Sequence, residues 1–288
     1  MRVALALAAL LSTVEPLALK RRGGLAKPKK KKAKKAPASP SSTPPPQAPL
    51  SPEAHMAAVA RAVEAAAPGI SSSLADDDFY AQEAFLDARS VAAMAHEARQ
   101  LDSTLVPSQS TRYEAGQTIA YDKAGVRSTQ ILGGDAYETA PRLTEYVVSL
   151  TAALSGVAGR IRPLSKVRQT NKLAVCDAVG AAYPKHIDNG GGDDPRLLTA
   201  ILYLDGACEG GRFRAFVPTA DTITAEVAPA PGTFVCFWSD RLVHDVSAVT
   251  RLDAGRWALT VWLCTDDDIF EATPEAVVAA HWPHLKDC

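Results

Sequence analysis

The sequence predicts an α+β fold: an antiparallel β-sandwich or jelly roll backed on one side by helices. Two observations carry this. From about Lys166 onward, short β-prone runs alternate with Gly, Pro and Asp punctuation. Before that point the chain reads as longer helical segments, and strands gathered on one side of the sequence from helices suggest a sheet packed by helices on one face. The 288 residues are 47% apolar, enough for a sizeable core.

The first element is an arm with no core of its own. Met1–Val14, "MRVALALAALLSTV", has one early Arg and a short apolar run, the pattern of a signal or targeting peptide over residues 1–19. The run is too short to span a bilayer as a helix, so no stable membrane span is expected. Lys27–Lys35, "KPKKKKAKK", reads as a nuclear localisation patch or a solvated linker, and Pro37–Pro52 is dense in proline. Residues 20–52 are therefore expected to be an extended Lys/Pro-rich linker. The apolar segment points to the secretory pathway or ER, the basic patch to nucleus or cytosol.

A helical support region is expected over residues 53–165. Ser51 and Pro52 open a first helix running to Ala67. Asp76–Leu101, with Phe79, Phe85, Leu86, Val91 and Met94, suggests a longer second helix, and Pro141–Val157 a third. The core is expected over residues 166–270, with strands at Lys172–Cys176, Leu197–Leu204, Arg212–Val217, Thr233–Trp238 and Trp257–Thr265. Residues 271–288 should end the chain with a helix at Pro274–Trp282.

Charge is split between arm and body. Eleven of the 31 basic residues lie in residues 1–35 against one of the 32 acidic, which leaves 20 basic and 31 acidic, a net charge of about −11. An acidic body argues against nucleic acid as the main partner of the folded part. Five cysteines, Cys176, Cys208, Cys236, Cys264 and Cys288, contain no C-x-x-C pair, so neither a zinc site nor a disulfide framework is indicated. Most lie in apolar runs and read as buried thiols.

The chemistry begins at Tyr183–Gly192, "YPKHIDNGGG". On a strand, His186 and Asp188 face the same way with Ile187 turned aside. Alone, a strand entering a glycine turn explains the pair equally well. His244, after the apolar run in "FWSDRLVHDV", supplies a third donor, and two His with one carboxylate are the facial ligand set of non-haem Fe(II) oxygenases. In "GRWALTVWLC", alternation puts Arg256, Ala258, Thr260 and Trp262 on one face. An arginine there is costly to bury without an anion, and a dicarboxylate would satisfy it; taken alone, a strand-start arginine snorkelling to solvent is the commoner explanation. Thr199, Ile201 and Tyr203 share a face of another strand, where Tyr203 can reach the same anion.

Together these residues resemble the Fe(II)/2-oxoglutarate-dependent dioxygenases of the prolyl 4-hydroxylase superfamily, and among them the EGL-nine type of HIF prolyl hydroxylase. The likeness covers residues 172–268 through "HIDN", "TAILYLD", "GGRFRAFVP", "FVCFWSDRLVHDV" and "RWALTVWLCTDD". It implies a double-stranded β-helix (jelly-roll) core, with His186, Asp188 and His244 as iron ligands. It also implies Arg256 as salt-bridge partner of the distal carboxylate of 2-oxoglutarate, and Tyr203 hydrogen-bonded there. Thr199 and Trp262 match lining positions of that pocket, and Gly210 and Gly211 match a turn before the strand bearing Arg214 and Phe216.

The implied cofactors are Fe(II), 2-oxoglutarate and O₂, with ascorbate as reductant. The implied partner is a proline-containing protein or peptide; the sequence leaves the oligomeric state open, with a monomer as the expectation. Two departures stand out. Asp177 takes the place of a family tyrosine that borders the pocket, and a longer link before Arg256 makes Arg251 a rival. Other readings are an oxygenase acting on another side chain or a small molecule, a non-catalytic metal-binding sensor, and a nucleic-acid tether centred on the basic arm.

Overall fold

The computed structural model describes residues 50–266 apart from 115–116, 163–165, 190–193 and 218–220. The basic arm, the glycines 190–192 and the expected C-terminal helix lie outside the described residues.

Helix α1 (Pro52–Asp76) starts where the sequence places it, with the Ser51 hydroxyl accepting from Ala54 N at 3.2 Å and Pro52 at the first turn. His55, Val59, Val63, Ala66, Ile70 and Leu74 form its buried stripe. It runs through Pro68 and past Ala67 to Asp76.

The expected second helix, Asp76–Leu101, is corrected. Asp78 and Ala84 take left-handed backbone at φ 59° and 48°, which no continuous helix passes through. Between them Phe79–Gln82 is an edge strand, β1, and helix α2 is confined to Ala88–Gln100. Phe79 and Phe85 served the helical stripe on paper; in the structure each stacks on a sheet residue, Phe79 on Phe213 and Phe85 on Phe234.

The region expected to be helical also contains a hairpin, β2 (Val106–Glu114) and β3 (Gln117–Thr129). Its polar sequence, "VPSQSTRYE" turning to "QTIAYDKAGVRST", shows little of the apolar alternation that marks a half-buried strand. Helix α3 (Pro141–Ile161) extends one turn beyond Val157.

The remaining strands are β4 (Arg168–Cys176), β5 (Tyr183–His186), β6 (Arg196–Gly210), β7 (Phe213–Phe216), β8 (Ile223–Val227), β9 (Phe234–Trp238), β10 (His244–Val246) and β11 (Val249–Cys264). Every pairing is antiparallel. One sheet runs β1-β9-β6-β11-β4-β3-β2, and the smaller runs β5-β10-β7-β8. This is the expected α+β jelly roll.

Strand alternation divides the interior. Leu198, Ala200, Leu202 and Leu204 of β6, with Trp257, Leu259, Val261 and Leu263 of β11, pack under α1, α2 and α3. The opposite faces turn toward the small sheet, where Tyr203, Phe213, Val235, Phe237 and Ala258 form a second cluster. A large sheet buried on both faces is a rigid platform, and the site is built on its inner face. Among the described residues no helix is long and apolar enough to cross a membrane. Cys176, Cys236 and Cys264 are buried free thiols and Cys208 is half-buried.

Candidate active site

His186 ends β5 and His244 begins β10, and the two lie directly opposite each other in the ladder, with ring centroids 4.3 Å apart. Each Nδ1 is hydrogen-bonded to a backbone carbonyl two residues upstream: His186 to Pro184 O at 2.8 Å and His244 to Leu242 O at 3.1 Å. With Nδ1–H donating, the lone pair is left on Nε2 of both rings, the tautomer a metal ligand requires. Asp188 Oδ1 stands 3.4 Å from His186 Nε2 and 3.9 Å from His244 Nε2. The three residues thus offer donor atoms all within 4.8 Å of one another.

The other oxygen of Asp188 is occupied. Oδ2 accepts from Thr199 Oγ1 at 2.6 Å and from Trp262 Nε1 at 2.9 Å. Thr199 is itself 2.6–2.8 Å from two partners, since Ser239 Oγ lies at 2.8 Å on its far side. One carboxylate oxygen is therefore held and the other left for the common centre. Burial works against the Asp188 carboxylate, yet the two imidazoles and Arg196 hold its pKa well below the usual range. Burial, then the neighbouring His186, pushes the His244 pKa down to about 4. Its ring stays neutral at physiological pH, available to a cation. Two imidazoles with Nε2 turned to a common centre and one carboxylate fit a divalent first-row metal.

Local sequence explains the placement. Asn189 continues the "HIDN" turn inward, donating from Nδ2 to the carbonyls of Asp194 and Arg196 at 3.0 and 2.7 Å. The "FWSDR" run ties the loop before His244 to the helical layer. Trp238 Nε1 donates to Leu74 O at 2.8 Å, Asp240 takes Arg162 bidentately at 2.9 and 3.0 Å, and Arg241 reaches Asp78 at 2.9 Å.

Arg256 lies deeper along the same inner face. It is 4% exposed, and no carboxylate among the described residues pairs with it. Its Nε donates to Gly211 O at 2.8 Å, Nη2 to the Tyr203 hydroxyl at 3.2 Å, and Nη1 lies 3.9 Å from Cys176 Sγ. Gly211 is required here. At φ +61° it favours glycine, and a Cβ would come within 2.9 Å of Arg256 Cδ. A buried guanidinium held by neutral partners retains donors for an anion. The rival Arg251 is exposed and ion-paired with Glu209 and Asp253.

A cavity of about 560 Å³ joins the two ends, lined by His186, Asp188, His244, Thr199, Trp262 and Arg256 among others. Tyr203 sits behind this wall, fully buried against Arg256. Six of the seven residues singled out in the sequence thus line one cavity, and Tyr203 is hydrogen-bonded to the Arg256 that does. Thr199 and Trp262, expected simply to line it, also grip Asp188.

Asp177, in the place of the family tyrosine, is not among the residues that line the cavity; its carboxylate accepts from Arg127 Nε at 2.6 Å. Strand alternation turns Cys176 inward in its stead, beside Arg256.

Sequence reasoning missed Lys123, Lys172, Tyr183 and the Asp194–Arg196 pair, which also line the cavity. Lys172 had a signal, a lone charge on the same strand face as Ala174 and Cys176. Lys123 had none, since its strand was not foreseen.

The model of the 2OG-Fe(II) oxygenase superfamily matches residues 172–264. The prolyl hydroxylase EGLN3 of Mus musculus and that of Homo sapiens are each 30% identical over 164 residues, covering 55% of this chain and 67% of theirs. Among solved structures, a Pseudomonas putida prolyl-4-hydroxylase aligns with a TM-score of 0.53 at 27% identity, over 70% of this chain and 100% of that one. A Trichoplax adhaerens prolyl hydroxylase, solved with a hypoxia inducible factor peptide fragment, shares the fold with a TM-score of 0.58 at 20% identity, over 75% and 94%. The chain belongs to the 2OG-Fe(II) oxygenase superfamily and is a 2-oxoglutarate-dependent dioxygenase of the prolyl hydroxylase type.

Proposed function

We propose that this dioxygenase hydroxylates a prolyl residue in a protein or peptide, with release of succinate and CO₂. One observation carries the reading: three convergent metal donors stand at one end of a cavity whose other end is a buried, carboxylate-free arginine. The kinship with prolyl hydroxylases supports proline as the target.

In this reading His186, Asp188 and His244 hold Fe(II). Bound Fe(II), with 2-oxoglutarate and O₂, supplies the oxidising chemistry, and ascorbate serves as reductant. The chain's own task is orientation. Thr199 and Trp262 fix one Asp188 oxygen, which leaves the other, beside both imidazoles, to hold the metal when it is bound. The Pro184 and Leu242 carbonyls fix both imidazole tautomers. Arg256 and the Tyr203 hydroxyl receive the distal carboxylate of 2-oxoglutarate, and Ile201, Phe213, Val246 and Ala258 keep the cavity wall between them apolar.

The test is succinate release by the full chain supplied with Fe(II), 2-oxoglutarate, ascorbate and a mixed library of proline-containing peptides. Peptide-stimulated succinate is expected, absent in His186→Ala and strongly reduced in Arg256→Ala. Peptide products carrying one added oxygen should map to proline; oxygen found on another side chain would replace the prolyl reading.

A further inference from the structure

Two lysines reach the cavity from different strands. Lys172 stands on β4 opposite Thr260 of β11, and Lys123 comes from the part of β3 beyond its pairing with β4. Gly125 makes that course possible: its φ is +67°, and a Cβ there would lie 2.6 Å from Ala178 Cβ. Both ammonium groups converge on one ring. Lys123 Nζ is 4.4 Å and Lys172 Nζ 5.8 Å from the Tyr183 centroid, and Lys172 is also 5.5 Å from that of Trp262.

Neither lysine has an ion-pair partner among the described residues. Arg196, on the same wall, is matched by Asp194, whose carboxylate takes both its Nε and Nη2. Asp188 acts on the lysines through space but makes no direct ion pair with them, because one oxygen is taken by Thr199 and Trp262 and the other faces the imidazoles. Aromatic faces offset an ammonium charge without neutralising it. Burial, and then Lys172 itself, holds the Lys123 pKa down to about 8, and burial lowers that of Lys172.

Charge at the proposed centre is already balanced without them. A divalent metal, the dianionic co-substrate, Asp188 and Arg256 sum to zero. Two partly buried like charges pressed on one ring then have no direct counter-ion, and a further anion between them would offset both. With the co-substrate's carboxylates assigned to the metal and Arg256, the substrate must bring it.

We propose that Lys123 and Lys172 form an anion subsite of the substrate channel, and that the substrate presents an Asp or Glu carboxylate beside the residue that is oxidised. This rests on the oxygenase reading above and adds the chemistry of the substrate to it.

The full chain would be loaded with Mn(II) and saturating 2-oxoglutarate, so that nothing turns over. Two fluorescent peptide pools would then be titrated, each with a fixed central proline. Their flanking positions differ in carrying Asp and Glu in one pool and Asn and Gln in the other. The acidic pool should bind about tenfold tighter, as for hydrogen bonds to charged groups. The preference should vanish in Lys172→Met and Lys123→Met and survive in Lys172→Arg, with 2-oxoglutarate affinity unchanged by calorimetry.

Equal affinity for the two pools overturns the proposal. So does a preference that persists in the Met variants. A loss of 2-oxoglutarate affinity in place of peptide preference also overturns it, by assigning the lysines to the co-substrate. Succinate release by the Fe(II) enzyme separates the two readings. Equal stimulation by both pools leaves the oxygenase standing and sinks the subsite. An acidic preference in binding with no stimulated release keeps the subsite and sinks the prolyl reading.

Discussion

Trp262 shows how much a single side chain contributes at the residue scale. Its strand position was legible from alternation along "RWALTVWLC", which sends it to the same face as Arg256. Alternation gives a face but not a partner. Only the folded geometry brings its indole N–H within 2.9 Å of Asp188 Oδ2. Trp262→Phe keeps the ring and removes that donor, leaving Thr199 alone on the oxygen. Outer-shell partners of metal ligands are typically worth 10–100-fold in affinity, so metal binding should weaken by about tenfold or more in this variant. A competitive titration with a chromogenic chelator reads this directly. Affinity equal to wild type would mean that Thr199 suffices to orient Asp188. The three ligands themselves were legible because the spacing in "HIDN" and the His in "FWSDRLVHDV" each follow β-prone runs. Lys123 was not, since its role depends on where a polar hairpin travels.

At the scale of elements, the strands after Lys166 were read well and the segments before it less so. β4, β6, β7, β9 and β11 carry apolar runs that only a buried strand needs. β1 and the β2–β3 hairpin do not; one is an edge strand and the other is largely polar, so their assignment depends on partners far away in sequence. β1 exists because Phe79 pairs with Phe237. The connection between β9 and β10 is the most consequential of these tertiary links. Its Asp240 is bound bidentately by Arg162 at the end of α3, and both side chains are buried at 1% and 9% exposure. Breaking a buried pair strands the remaining charge. Asp240→Asn should therefore cost about 3 kcal/mol in urea unfolding, in line with such losses. The displaced loop carries His244, so metal affinity should fall in the same variant. A stability loss with metal affinity intact would show that the loop holds its course without α3.

The whole molecule places its helices and its metal donors on opposite faces of one sheet, and each side buries an imidazole that resists protonation. His55 of α1 is fully buried, with Nδ1 3.0 Å from Glu145 of α3. Burial lowers its pKa, against the opposing pull of Glu145. His244, on the other side, sits at about 4. An unfolded histidine takes up its proton near pH 6.5. Below about that pH the unfolded chain binds protons that the folded chain refuses, so stability is present above it and lost as pH falls toward the folded values. The thermal midpoint of chelator-treated protein should thus drop between pH 7 and pH 5, a window bounded by the unfolded value of about 6.5 and the lower folded ones. The Glu97 carboxyl, its pKa raised by burial, acts in the opposite sense, since a raised acid adds stability as pH falls. The comparison that isolates the helical layer is wild type against His55→Gln. Removing the imidazole should flatten the slope while leaving the part due to His244. A slope identical in wild type and His55→Gln would mean that α1 shifts to admit the proton, and that the helical layer yields before the sheet does.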